Sequence, residues 1–146
     1  MLRGCHPAKI DDKGRLKLPT AFKSVVEEQH GAGVYVTSLT GDSVRIYPMP
    51  VWLAVEQRVA RMPSTHPARL KFLDRVNYFG QLGEFDLQGR LGIHGRLRDA
   101  AGMVGEVDVL GQVDYLEVWN HERFVAKLQR DPFTNDDSSQ LAEFGI

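Results

Sequence analysis

Two short stretches bring acidic and basic side chains together around a glycine. One runs Lys9-Ile10-Asp11-Asp12-Lys13-Gly14-Arg15-Leu16-Lys17-Leu18-Pro19. The other runs Glu84-Phe85-Asp86-Leu87-Gln88-Gly89-Arg90-Leu91-Gly92-Ile93-His94. The shared Asp-x-x-Gly-Arg-Leu recurs 75 positions on. An ammonium such as that of Lys13 can reach a phosphate. The planar guanidinium of Arg15 can bind a phosphate or a guanine edge with two parallel hydrogen bonds. Gly14 lets the backbone come close to whatever is bound. The bases Arg3, Lys9 and Lys17 add positive charge nearby. Phosphates would repel the acids, so Asp11 is expected to orient Arg15, with Asp86 and Arg90 as the matching pair. The alternative for Asp11 is an ordinary surface ion pair, worth about 0–1 kcal/mol.

Other chemistry is weakly represented. Cys5 beside His6 could suggest a nucleophile and its base, but neighbours on an extended strand point to opposite faces. Cys5 is therefore expected to be a small buried or semi-buried thiol. The five histidines (His6, His30, His66, His94 and His121) lack metal-ligand spacing, and the single cysteine cannot build a zinc site. No phosphate-binding or dinucleotide-binding glycine fingerprint occurs, and Gly31-Ala32-Gly33 reads as a turn before a strand. No catalytic residue, metal, cofactor or small-molecule substrate is expected.

The elements that must hold these residues also come in pairs. Ile10 to Leu16 aligns with Phe85 to Leu91, Leu18 with Ile93 and Lys23 with Arg98. Further on, Val44-Arg45-Ile46-Tyr47 aligns with Leu116-Glu117-Val118-Trp119 at a spacing of 72, and Trp52 with Phe124. Gly14 and Gly89 suit tight turns with positive φ. Beyond the first turn Leu16 and Leu18 fall on one strand face, with Arg15 and Lys17 on the other. Val34–Thr37 and Val44–Tyr47 read as strands about Gly41-Asp42-Ser43, and Val107–Leu110 and Tyr115–Trp119 as strands about Gly111.

Helices are expected from Pro50, with Trp52, Val55, Val59 and Met62 inward, and from Pro67, with Leu70, Leu73, Val76 and Phe79 inward. Short helices should follow Pro19 and His94. A last one should follow the cap Asn120, marked by Phe124 and Leu128 and ending before Pro132. The polar stretch Asn135–Ser139 reads as a mobile tail. Trp52, Trp119, Tyr47 and Phe124 are expected to pack the halves together. Arg58, Arg61, Arg69, Asp74 and Arg75 could form polar rims between subunits, or simply solvated helix faces.

Whole-chain properties set the frame. The chain has 146 residues, 42% hydrophobic and 25% charged, which suits one soluble globular domain or two halves sharing a core. No apolar run could span a bilayer, the start lacks the apolar core of a secretory signal, and one cysteine fits a reducing cytoplasm. The net charge is −1, but Met1–Lys23 carries a balance of +4 and Asp131–Ile146 one of −4. A basic patch can therefore lie behind the near-neutral total.

The opening Met-Leu-Arg-Gly, the Asp-x-Lys-Gly-Arg-Leu-x-Leu-Pro segment and the second Asp-x-x-Gly-Arg together resemble the MraZ family. The resemblance covers Met1 to about Arg130. It implies an α+β, mainly β fold: a pseudo-two-fold AbrB-like β-barrel of two hairpin-containing repeats, with short helices between and after them. The repeats would span 5–52 and 81–124, with connecting helices at 53–80 and a helix end and acidic tail at 125–146. It further implies a transcriptional regulator of the division and cell-wall gene cluster, acting on the nucleoid. Such a regulator would bind short direct repeats in promoter DNA, often its own, as a homo-oligomeric ring. Carried over by position, Asp11 and Arg15 form the DNA-facing signature, with Lys13 and Gly14 in its turn and Asp86 and Arg90 in the second copy. Gln88 opposite Lys13, and His94 where the family commonly has proline, point to a more structural second copy. The competing reading is a protein-interaction module like the antitoxin members of the wider superfamily.

Overall fold

The computed structural model describes residues 1–31 and 33–146, the side chains at 29 and 30 excepted. The turn expected at Gly31-Ala32-Gly33 thus falls partly outside the described residues. Two matching series of elements follow one another along the chain. The first is β1 (Cys5–Ile10), β2 (Arg15–Lys17), α1 (Thr20–His30), β3 (Gly33–Thr37), β4 (Val44–Pro48) and α2 (Met49–Ala60), followed by α3 (Pro67–Tyr78). The second is β5 (Gln81–Glu84), β6 (Arg90–Gly92), α4 (Gly95–Ala101), β7 (Gly105–Gly111), β8 (Leu116–Asn120) and α5 (His121–Arg130), followed by α6 (Asn135–Ala142).

The eight strands form one antiparallel sheet in the order β5-β3-β4-β8-β7-β1-β2-β6. Its two ends, β5 and β6, are the arms of one hairpin, where the Asp86 N–H donates to the Arg90 carbonyl at 3.0 Å. The sheet therefore curls into a nearly closed barrel, which leaves little unpaired strand edge. The halves interleave: β1 pairs with β7 as β5 pairs with β3. Two pairings join equivalent strands, β2 with β6 and β4 with β8, and a pseudo-two-fold axis passes through both. The register places Leu16 opposite Leu91 and Arg45 opposite Glu117. These are the residues that the sequence spacings of 75 and 72 match to each other.

Alternation along the strands builds the core. Leu16, Leu18, Leu91 and Ile93 point inward and are buried, joined by Val34, Val36, Val44, Ile46, Val107, Val109, Leu116 and Val118. Arg15 and Lys17 lie on the outer face. The two halves thus share one core, which removes each hairpin's apolar face from water.

A second cluster lies under α2 and α3. Trp52 stacks between Tyr35 (4.5 Å between ring centroids) and Phe72 (6.3 Å), with Tyr47 and Val76 buried beside it. Both the Tyr35 hydroxyl (3.0 Å) and the Thr37 hydroxyl (2.7 Å) donate to the Val76 carbonyl, which ties the end of α3 to β3. The four aromatics expected to join the halves therefore divide. Only Tyr47 stacks across, on Tyr115 (4.8 Å), whereas Trp119 and Phe124 pack with each other under α5 (6.0 Å). Each aromatic follows its own strand-to-helix corner, and the corners lie apart.

Two other expectations are corrected. Leu70 is half exposed, because α3 turns Phe72, Leu73 and Val76 inward and leaves Leu70 at the side. The tail forms helix α6. The Thr134 hydroxyl accepts from the Asp137 N–H (3.2 Å), and the Asp137 carboxylate accepts from the Thr134 N–H (2.9 Å), a reciprocal cap. Polar composition concealed this, since a capping box needs polar residues.

Candidate nucleic-acid interface

Each Asp-x-x-Gly-Arg segment is a turn folded around its own aspartate. In the first, Asp11 Oδ1 accepts the N–H groups of Lys13 (3.0 Å) and Arg15 (2.8 Å), while Oδ2 accepts from Arg15 Nε (2.8 Å). In the second, Asp86 Oδ1 accepts from Gln88 N and Arg90 N, each at 2.9 Å, and Oδ2 from Arg90 Nε at 2.9 Å. The glycines follow with φ of 77° and 74°, a conformation that L side chains rarely adopt. The spacing of the motif has a physical cause. The carboxylate must reach two backbone donors and one guanidinium at once, and Gly must release the chain from the turn.

These bonds hold both aspartates below the ordinary carboxyl value of 3.8. The largest cause is the N–H of Arg15 or Arg90, with the guanidinium bond and the next turn N–H adding to it. Both acids therefore face their own backbone and arginine, and their charge is neutralised locally. Arg15 and Arg90 use Nε for this contact. Among the described residues, no hydrogen bond engages their terminal nitrogens.

The two turns share one surface. They lie at opposite ends of the antiparallel β2–β6 pair, where Ile93 N–H donates to the Gly14 carbonyl (3.1 Å) and Leu18 N–H to the Gly89 carbonyl (2.8 Å). Between them the outer face of the pair carries Arg15 and Lys17 on one strand and Arg90 on the other, with Lys17 directly opposite Arg90. Each turn is covered by a base from the opposite half. The Arg98 guanidinium lies over Gly14 and donates to the Ile93 carbonyl (2.9 Å). Lys23 lies along Gly89, with Nζ 3.4 Å from the Leu87 carbonyl. Neither Lys23 nor Arg98 was among the expected site residues. The signal was their alignment with each other at the motif spacing.

The remaining expected residues divide. Lys13, with its neighbour Asp12, and Gln88 are exposed at the two turn tips. Lys9 is exposed on β1 and stands opposite Glu106 of β7, so its charge is partly offset. Arg3 is not brought to this surface. It precedes β1, whose six residues separate it from the first turn by about 20 Å. At that far end Leu2 bridges to Val113 and Gly4 accepts the Gly111 N–H at 2.8 Å.

The second turn departs from the first in chemistry and not in shape. Gln88 replaces Lys13 at the tip, and Leu87 is 99% exposed beside it. His94, the other departure, stands just before α4 without a side-chain cap bond and contacts the Phe79 carbonyl through Nε2 at 2.7 Å, tying the second hairpin to the end of α3.

The other histidines and the cysteine have local roles. His6 packs edge-on against Phe22 at 5.1 Å, on the strand face opposite Cys5. His66 Nδ1 caps α3 by accepting the Ala68 N–H (3.0 Å). His121 pairs with Asp108 at 2.8 Å, which raises the imidazole above its ordinary 6.5. Cys5 is exposed and not buried as expected, since its strand turns it outward; desolvation, then the nearby Asp108 charge, pushes its thiol upward. His30 lies outside the described side chains. Among the described residues, no helix is long and apolar enough to cross a membrane.

Comparison with known proteins supplies independent information. Residues 1–75 and 81–144 match the family described as "MraZ protein, putative antitoxin-like". A protein of Acidobacterium capsulatum named "Transcriptional regulator MraZ" is 48% identical over 146 residues, covering the whole of both chains. One of Koribacter versatilis with the same name is 46% identical over 147 residues, again covering both chains fully. One of Yersinia pestis is 33% identical over 132 residues, 90% of this chain and 87% of its own.

Proposed function

The chain belongs to the MraZ family, and we propose that it is a DNA-binding regulator of transcription that reads promoter DNA with the end of the barrel carrying both turns. One observation carries the reading. Two aspartate-stapled turns flank a two-stranded ribbon and leave Lys13, Lys17 and the arginine termini facing outward. A two-stranded β-ribbon is a shape that the major groove admits. Lys13 supplies a phosphate contact, and Gly14, at positive φ beneath the Arg98 guanidinium, shapes the turn that presents it. Arg15, held at Nε by Asp11, presents its two terminal nitrogens to a guanine edge or a phosphate. Asp11 thereby orients the reading residue, and Asp86 does the same for Arg90. Lys23 and Arg98 add charge at the turns' flanks.

A single such end is a weak reader, because one good bidentate contact contributes only about 1–3 kcal/mol. Several copies acting together raise the effective concentration of each. Neighbours in a ring face DNA in the same sense, so the operator is a set of direct repeats at near-helical spacing, about 10 base pairs. The family resemblance supports a ring-shaped homo-oligomer acting at its own promoter, in the division and cell-wall gene cluster and on the nucleoid.

The test is a gel shift on the chain's own upstream DNA. Lys13→Ala and Arg15→Ala should each weaken specific binding by roughly tenfold or more, and affinity should fall with log salt at about −0.9 per neutralised phosphate. Specific binding kept intact in the double variant would overturn the site. The family description also carries the words "putative antitoxin-like", which favours a second reading as a protein-interaction module. A partner that co-purifies after nuclease treatment, with no shift on DNA, would support that reading instead.

A further inference from the structure

The pseudo-two-fold relation gives α5 a counterpart in α2, with Phe124 matched to Trp52. In the first half α3 follows α2 after residues 61–66 and folds back over it, burying Trp52 and Val76. In the second half α6 follows α5, but neither helix buries a residue. Val125 and Leu128 stand 40% and 57% exposed on α5, and Phe133, Phe144 and Ile146 are 72–81% exposed around α6. Exposed apolar side chains that follow one another through a terminal unit offer a contact surface. The two parts also differ in charge. α5 carries Arg123, Lys127 and Arg130 against one acid, Glu122. Residues 131–146 carry Asp131, Asp136, Asp137 and Glu143 and no base.

We propose that α6 of one copy packs on α5 of a second copy of this chain, doing between molecules what α3 does for α2 within one. Its acids meet the α5 bases, and Phe144 and Ile146 cover Leu128 and Val125. The connection 131–134 is shorter than the one that lets α3 fold back, and it contains Pro132. The surface given and the surface received differ, so the contact is head-to-tail. Each copy donates one helix and accepts one, as a closed ring requires. This rests on the assembly proposed above and names its contact, but it is read without DNA.

Two full-length chains in a Cys5→Ser background test it, one carrying Leu128→Cys and the other Phe144→Cys. Mixed and oxidised, they should form a disulfide between unlike chains. In otherwise native chains Phe144→Ser should weaken self-association about tenfold or more in sedimentation, with an unchanged melting temperature at dilutions where both chains are monomeric. Absence of the mixed disulfide would overturn the proposal. So would a monomeric double-cysteine chain that closes on itself, which would mean that α6 folds back within one molecule. The mixed disulfide together with no DNA binding would uphold this contact and remove the proposed function.

Discussion

Asp11 and Asp86 act first on their own turns. Each accepts three hydrogen bonds from groups within four residues, so each motif is a self-contained unit of structure. Both carboxyls are held below 3.8 in the folded chain. A carboxyl lowered on folding adds stability that is complete above its unfolded value and is lost as pH falls through its folded value. The Asp11→Asn/Asp86→Asn variant should therefore be less stable than the native chain at pH 6, and the gap should close below about pH 4. Urea midpoints across that range provide the check, and a gap constant with pH would refute the charged staple. The motif itself was legible from sequence because its five residues span the turn. The covering of Gly14 by Arg98 was not, because it depends on how the halves interleave.

At the scale of elements, the aromatic cluster holds the α2–α3 pair on the barrel. Trp52 is buried between Tyr35 and Phe72, and the Val76 carbonyl receives two hydroxyl donors from β3. Trp52→Ala should cost about 3–5 kcal/mol, read as a lowered urea midpoint. The main core would stay intact, since Trp52 does not belong to it. Helices from Pro50 and Pro67 were legible from proline position and spacing. The side each helix buries was less so: Leu70 fits the inward spacing yet lies at the flank, while Phe72, off that spacing, stacks on Trp52. Apolar spacing gives a stripe wider than the contact, and the neighbouring strands decide which part is used. The tail escaped for another reason, because Thr134 and Asp137 form their cap from residues that elsewhere signal loops.

In the whole molecule, the two sequence spacings became two strand registers. Residues that the repeat aligns in one dimension meet in three, Leu16 with Leu91 and Arg45 with Glu117. The second pair carries opposite charges, Arg45 Nε lying 3.4 Å from Glu117 Oε2 with side chains 25% and 15% exposed. Arg45→Glu should cost about 2 kcal/mol, between the values for exposed and buried pairs. The reciprocal Arg45→Glu/Glu117→Arg chain should recover much of it, as coupled neighbours do. A loss in the double variant equal to the sum of the losses in the Arg45→Glu and Glu117→Arg single variants, measured by urea unfolding, would show that the pair does not interact.

That pair also bears on descent. In a dimer of identical half-length chains, a residue on the two-fold axis has only itself for a partner. Leucine tolerates its own company there, as Leu16 and Leu91 still do. An arginine would face an arginine, and a glutamate a glutamate. Joining two copies into one polypeptide lifts that restriction, because each half can then mutate without changing the other. Arg45 opposite Glu117 is a pairing closed to a dimer of identical halves. The same freedom allows one turn to carry Lys13 and its twin Gln88.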